Sequence, residues 1–232
     1  MTALITLSHG SRHPGAKPGV SELTQAAARH LGVTGVDAHL EFDTPDLTAA
    51  ARQLAAQGHT RAVVVPTLFT TAFHATHDVP EAIAAATAET GIELVAADGL
   101  GQGRDIAAVL AARALSDAPR ARHIILYPVG TSNEEAAGKT VELGRDVEKL
   151  AGIPVTTVPA TGVGELVGAD GIAAVADENT HLLPLFVTRG LLLDRVHRMW
   201  PGSISAPLGA DLAHIIAARY SAAPDTLSHA KV

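Results

Sequence analysis

The 232-residue chain contains no cysteine. Disulfides, thiolate zinc ribbons, iron–sulfur clusters and thiol nucleophiles are therefore excluded. Long hydrophobic runs are missing as well. The longest uncharged stretches, Ala62 to His77 and Leu150 to Gly164, are interrupted by Pro66 and His74 and by Pro154 and Pro159. Neither reads as a membrane span of about 20 apolar residues. Positive charge is scarce: 17 Lys and Arg stand against 24 Asp and Glu, a net charge of −7, which argues against a phosphate-neutralising surface for nucleic acid. Gly 21 and Pro 13 make up about 15% of the chain, well under the roughly 25–30% of low-complexity sequences. Met1 to His9 enters a strand-like run at once, without the basic segment of a signal peptide. The expectation is a soluble, cytoplasmic protein with no membrane or nucleic-acid partner.

Against these absences, apolar residues make up 47% of the chain, enough for a core in one large domain or two domains of roughly a hundred residues each. Histidine is in excess at 12 residues. It is the side chain best suited to bind a transition metal or accept a proton near neutral pH.

Short apolar runs alternate with longer helical patterns. Strands are predicted at Ala3–Ser8, Val36–Phe42, Ala62–Leu68, Ile92–Ala97, His123–Val129, Val155–Ala160, His181–Phe186 and Ser203–Ala206. Several are nearly continuous Val, Ile and Leu, as in parallel strands covered on both faces. Thr44-Pro45-Asp46 reads as an N-cap, a proline at N1 and an acid in the first turn. Ser132 with Glu135 reads as a capping box. Gly32, Gly58 and Gly152 stand where helices should stop. The whole is a repeated βα pattern, hence an α/β fold with parallel sheets.

The two halves echo each other. Leu4-Ile5-Thr6-Leu7-Ser8-His9-Gly10-Ser11-Arg12 matches Ile124-Ile125-Leu126-Tyr127-Pro128-Val129-Gly130-Thr131-Ser132. Val65-Pro66-Thr67-Leu68-Phe69 matches Leu183-Pro184-Leu185-Phe186. Gly99-Leu100-Gly101 with Asp105 and Ala111-Ala112-Arg113 is echoed by Leu208-Gly209, Asp211 and Ala217-Ala218-Arg219. Three landmarks in one order indicate a duplication: two lobes, each a four-stranded parallel sheet flanked by helices, at 1–118 and 119–232, with Ser116 to Arg120 as the linker. A single (β/α)8 barrel is the competing architecture.

Several motifs fail on inspection. Gly138-Lys139-Thr140 has Asn133 where a P-loop needs glycine, and it falls inside a predicted helix. Gly99-Leu100-Gly101-Gln102-Gly103 has its third glycine one position early for a dinucleotide fingerprint and reads as a tight turn. Two segments remain, both at carboxyl ends of strands, where open α/β sheets bind ligands. One is Ser8-His9-Gly10-Ser11-Arg12. The other is Phe73-His74-Ala75-Thr76-His77-Asp78-Val79-Pro80. His9 and His74 would project at one edge of one sheet, where they read either as a metal or acid–base site or as polar loop residues. Asp78 suits both the N-cap of the helix near Pro80 and a bond that orients a neighbouring ligand. His13 and His77 are reserve ligands or solvated loop residues. The other eight histidines, His39 and His181 among them, read as surface or core.

These residues resemble the class II chelatases of tetrapyrrole biosynthesis, the sirohydrochlorin chelatases of the CbiX/SirB type. The resemblance rests on Leu7-Ser8-His9-Gly10-Ser11-Arg12, on Val65-Pro66 leading to His74-Ala75-Thr76-His77-Asp78-Val79-Pro80, and on Leu183-Pro184-Leu185-Phe186 leading to Arg189-Gly190-Leu191-Leu192-Leu193-Asp194-Arg195-Val196. It implies two chelatase-like lobes with the site between them, and His9 and His74 as ligands of the incoming metal. The second half is degenerate: Val129 stands where His9 would, and a leucine near Leu192 replaces His74. Ala72-Phe73 stand where the family has a glycine before its second histidine.

The implied reaction inserts a divalent metal, Fe²⁺ first and Co²⁺ as the alternative, into sirohydrochlorin and releases two protons. Neutral imidazole suits both metal binding and proton acceptance. Glu41, at the same edge, is a further proton acceptor or a solvated strand-end carboxylate. Arg12, Ser11, Arg189 and Arg195 are the candidates to meet the substrate's carboxylates, since an acidic protein needs a local positive patch for an acidic ligand; for each arginine the alternative is an ordinary surface salt bridge. No permanently bound cofactor is expected, the metal being substrate, and the chain is expected to act as a monomer. A noncatalytic metal or tetrapyrrole carrier and a metal-dependent hydrolase are the readings from other classes.

Overall fold

The computed structural model of the protein describes residues 2–70 and 78–224. The elements are β1 (Ala3–Ser8), α1 (Ala16–Leu31), β2 (Gly35–His39), α2 (Leu47–Ala56), β3 (Arg61–Pro66), α3 (Val79–Thr90), β4 (Glu93–Ala96), α4 (Arg104–Asp117), β5 (His123–Pro128), α5 (Glu134–Ala151), β6 (Val155–Thr157), α6 (Gly168–Val175), β7 (Thr180–Leu185), α7 (Leu191–Met199), β8 (Ser203–Ile204) and α8 (Ala213–Ser221), the last entered through a 3-10 turn at Gly209–Leu212. Every predicted strand is present. They form two separate parallel sheets, ordered β2-β1-β3-β4 and β6-β5-β7-β8, and the eight-stranded barrel is thereby excluded.

β1, an inner strand of its sheet, is buried along its whole length, so its apolar residues Ala3, Leu4, Ile5 and Leu7 run almost without interruption. Ala3, Ile5, Leu7, Val36, Ala38, Ala62 and Val64 form one face of the first sheet and share a core with Leu47, Ala50, Ala51 and Leu54 of α2 and Val79 and Ala86 of α3. The opposite face carries Thr6, whose hydroxyl meets that of Thr24 on α1. Helix ends follow local chemistry. Gly32, Gly91 and Gly152 take left-handed φ values of 68°, 69° and 69° as C-caps, where a side chain would be strained.

Two N-caps differ from expectation. Asp46, not Thr44, caps α2, accepting from Ala49 N at 2.7 Å, and the Thr44–Pro45 peptide is cis. Asn133, not Ser132, caps α5, accepting from Ala136 N at 2.9 Å. Asp78 stands at the N-cap of α3 with helical φ, ψ and no side-chain capping bond.

The chain divides into two compact units, Met1–Gly101 with Leu212–Val232, and Gln102–Asp211. The expected boundary at 118/119 lies elsewhere, and Ser116 and Asp117 end α4 instead of opening a linker. The physical reason is helix placement. α4 packs on α5 and β7 of the second unit, while α8 packs on α1 and β3 of the first. Each repeat therefore gives its last helix to the unit built by the other. The echoed arginines fasten this exchange. Arg219 on α8 donates to the carbonyls of Gly99 and Leu100 at 3.0 and 2.9 Å in the first unit. Arg113 on α4 binds the carboxylate of Asp211 and the carbonyl of Ala206 in the second.

Candidate active site

In the first unit the β1–α1 loop lies beside the segment that follows β2. The pairing continues past the strand: Leu40 N donates to Ser8 O and Glu41 N donates to His9 O, both at 2.9 Å. This closeness needs Gly10. Its φ is 89°, and a Cβ there would sit 1.7 Å from the carbonyl oxygen of Glu41. The second unit repeats the arrangement. Ala160 N donates to Pro128 O and Thr161 N donates to Val129 O, and a Cβ at Gly130, whose φ is 97°, would sit 1.8 Å from Thr161 O. Val129 and Thr161 thus occupy the places of His9 and Glu41, so the second unit keeps the backbone of this corner without its histidine and carboxylate. A cavity of about 460 Å³ opens there, lined by Pro128, Gly130, Thr131, Pro159 and Val163 among others.

The sequence predicted His9, His74 and Glu41 together. The structure brings His9 and Glu41 together, with His9 half-buried and Glu41 exposed. β2 ends at His39, two residues before Glu41, because the chain bends there. Phe42 then takes a left-handed φ of 64°. Its ring is 53% exposed; its centroid lies 6.0 Å from that of His9 at 54° and 4.8 Å beneath the Arg12 guanidinium. His74 and His77 lie outside the described residues. Among the described residues no group of three or more His, Asp or Glu is placed to hold a metal ion.

Ser11 and His13 brace the loop, internally and against the segment after β2. Ser11 N donates to Asp43 Oδ2 at 3.2 Å, and Ser11 Oγ accepts from His13 N at 3.1 Å. His13 Nδ1 accepts from Gly15 N at 3.0 Å, so one ring nitrogen is engaged in turning the chain into α1. Arg189 and Arg195 belong to the second unit. Arg189 is exposed after β7 and Arg195 is exposed on α7. Burial pushes the Tyr127 hydroxyl above its ordinary pKa, and the Arg195 charge opposes that rise.

Beneath the His9 loop runs a buried polar string that sequence reasoning filed under surface or core. Ser8 Oγ meets His39 Nδ1 at 2.7 Å, and His39 Nε2 lies 3.3 Å from Asp37 Oδ2. His39 is 1% exposed. Burial acts to raise the Asp37 pKa, but bonding to His39 and Ser21 and the His39 charge together hold it below the usual value. The signal was present in the sequence: Asp37 and His39 alternate on one strand face, and the parallel register sets His39 against Ser8.

This fold, two α/β units each built on a four-stranded parallel sheet, is that of the solved SirB and CbiX structures. Over 94% of each chain it superimposes on SirB from Bacillus subtilis with Fe³⁺, at a TM-score of 0.79 and 19% identity. A CbiX described as the terminal enzyme for biosynthesis of siroheme in denitrifying bacteria matches at 0.67 and 17% identity, over 95% of this chain and 98% of that one. The CbiX family model matches residues 3–117. A sirohydrochlorin cobaltochelatase of Saccharolobus islandicus is 31% identical over 120 residues, 49% of this chain and 93% of that protein. A sirohydrochlorin ferrochelatase of Bacillus subtilis is 33% identical over 82 residues, 35% of this chain and 31% of that protein, so that match spans less than a third of the relative's length. The chain belongs to the CbiX family. Among the described residues no helix is long and apolar enough to cross a membrane.

Proposed function

We propose that the chain is a sirohydrochlorin chelatase that inserts a divalent metal, Fe²⁺ in the first place and Co²⁺ as the alternative, with release of two protons. The observation that carries the reading is the His9–Glu41 corner, set at the end of β1 by Gly10, in a chain of this family. The reaction exchanges two pyrrole N–H protons for one M²⁺, so the site must hold a partly desolvated metal and accept protons. His9 and His74 are the proposed metal ligands. Glu41, exposed beside His9, is the proposed acceptor of protons leaving the ring. Imidazole binds Fe²⁺ and Co²⁺ without the tight hold of thiolate, which suits a metal that must be passed on. Arg12, Ser11, Arg189 and Arg195 are the proposed partners of the substrate's carboxylates, Arg12 with its planar fork of donors.

Anaerobic mixing of the protein with sirohydrochlorin and Fe²⁺ or Co²⁺, followed by tetrapyrrole absorbance, tests this. Insertion above the spontaneous rate is expected. His9→Ala and His74→Ala should each lower kcat/KM by about 100-fold or more. Wild-type rates in both variants would remove the proposed site, and no acceleration with either metal would leave a carrier.

A further inference from the structure

Phe42 is the single non-glycine residue with positive φ among the described residues. The corresponding position in the second unit, one residue past the Thr161 that matches Glu41, is Gly162 at φ 94°. The backbone of this corner therefore favours glycine, and the first unit places a bulky aromatic there instead, in a conformation that strains a side-chain-bearing residue. Core packing does not account for it, since the ring is 53% exposed. Strain held by an exposed ring beside His9 and Glu41 is the mark of a functional surface.

Its neighbours define what that surface fits. The Arg12 guanidinium lies over the Phe42 ring at 4.8 Å, a contact that orients the planar fork without consuming its hydrogen-bond donors. Among the described residues Arg12 makes no salt bridge. The corner thus offers an apolar aromatic face and, beside it, a positive planar fork. A flat conjugated ring system with carboxylates on its rim satisfies both at once.

We propose that Phe42 and Arg12 form a platform that positions the macrocycle over the metal-delivering histidine: the Phe42 ring stacks on the edge of the conjugated system, and Arg12 pairs with a rim carboxylate. The proposal rests on the chelatase reading above and adds Phe42 as a substrate-positioning residue. It gives the strain at residue 42 a use, because a glycine there would supply no stacking face.

The test is equilibrium binding of metal-free sirohydrochlorin, read by the absorbance or fluorescence of the ligand, with thermal melting of each variant in parallel. Phe42→Ala should raise Kd about tenfold, the scale of one lost aromatic stack, while Phe42→Tyr should stay within about threefold of wild type. Arg12→Ala should weaken binding too, and the double variant should lose less than the product of the two single losses, because the pair acts as one unit. Phe42→Gly should lose affinity like Phe42→Ala yet keep or raise Tm, since it relieves the left-handed strain. A Kd for Phe42→Ala within twofold of wild type overturns the platform, as does a loss of affinity that tracks a fall in the Tm of Phe42→Gly. The chelatase reading fails separately: a wild-type protein that binds the macrocycle but inserts no metal sinks that reading, and the Kd series still decides the platform. A wild-type protein that binds no macrocycle overturns both.

Discussion

His181 and His123 show how a histidine that touches no substrate still sets a pH limit. His181 lies between the hydroxyls of Ser203 and Ser205, each at 2.8 Å, and is 1% exposed. Burial pushes its pKa below the ordinary value, with the nearby Asp117 charge opposing. His123 shifts in the same direction from burial, with Asp177 opposing. The unfolded chain takes up these protons near pH 6.5, whereas the folded chain takes them up only at lower pH. Stability of the second unit therefore falls as pH drops below about 6.5 and levels off beneath the folded pKa values. Denaturant midpoints at pH 7.5 and 5.5 should differ, and the difference should shrink in His181→Gln. An equal difference in wild type and variant would show that His181 is not a source of the loss. Asp37 acts in the same direction in a lower window: held below its usual pKa, it contributes stability above about pH 4 that is lost in stronger acid.

At the scale of elements, the loop after β1 and the segment after β2 form one unit of structure held by backbone hydrogen bonds. Gly10→Ala tests it. The added methyl would meet Glu41 O at 1.7 Å at a φ of 89°, so the segment bearing Glu41 and Phe42 must move. A stability loss of at least about 2 kcal/mol is expected, along with loss of metal insertion. A Gly10→Ala protein with wild-type melting and rates would mean that the two segments are not coupled. The inner strands β1, β3, β5 and β7 were legible because strands buried on both faces carry an apolar run. Their ends were not. Glu41 and Ala160 continue the backbone pairing after the strands proper have ended, and only the left-handed turns at Phe42 and Gly162 show where the chain leaves the sheet. The caps at Asp46 and Asn133 were misplaced by one or two residues because Thr44 and Ser132 have equally good capping chemistry. His9 and Glu41 were legible from their places at strand ends. Phe42 was not, because exposure of an aromatic side chain and the sign of φ leave no mark on composition or period.

At the scale of the whole molecule, the repeat was legible and the owner of each final helix was not. Sequence period reports that a helix buries a face, as α4 buries Ile106, Val109 and Leu110, but not which sheet receives it. The arginine echo at 113 and 219 marked the two helices, and the structure explains why both carry it: each arginine ties its helix to a turn of the unit it joins. Removal of residues 212–232 should accordingly damage the first unit and spare the second. Burial of Ile215 and Ile216 alone is worth about 3–6 kcal/mol, a large share of the roughly 5–15 kcal/mol that holds a domain folded. Hydrogen exchange should show β1 and β3 amides losing protection while those of β5 and β7 keep theirs. Undiminished protection in β1 and β3 would show that α8 is dispensable.

The same exchange of helices sets an order of events on the ribosome. The loops that carry His9 and Glu41 are translated before the second unit, but the helix that packs on α1 and β3 is translated only after it. The unit with the proposed chemistry must wait, with one flank uncovered, until its neighbour has been made. Vectorial synthesis ordinarily lets the amino-terminal part fold first; here the first unit is completed only after the second has been made.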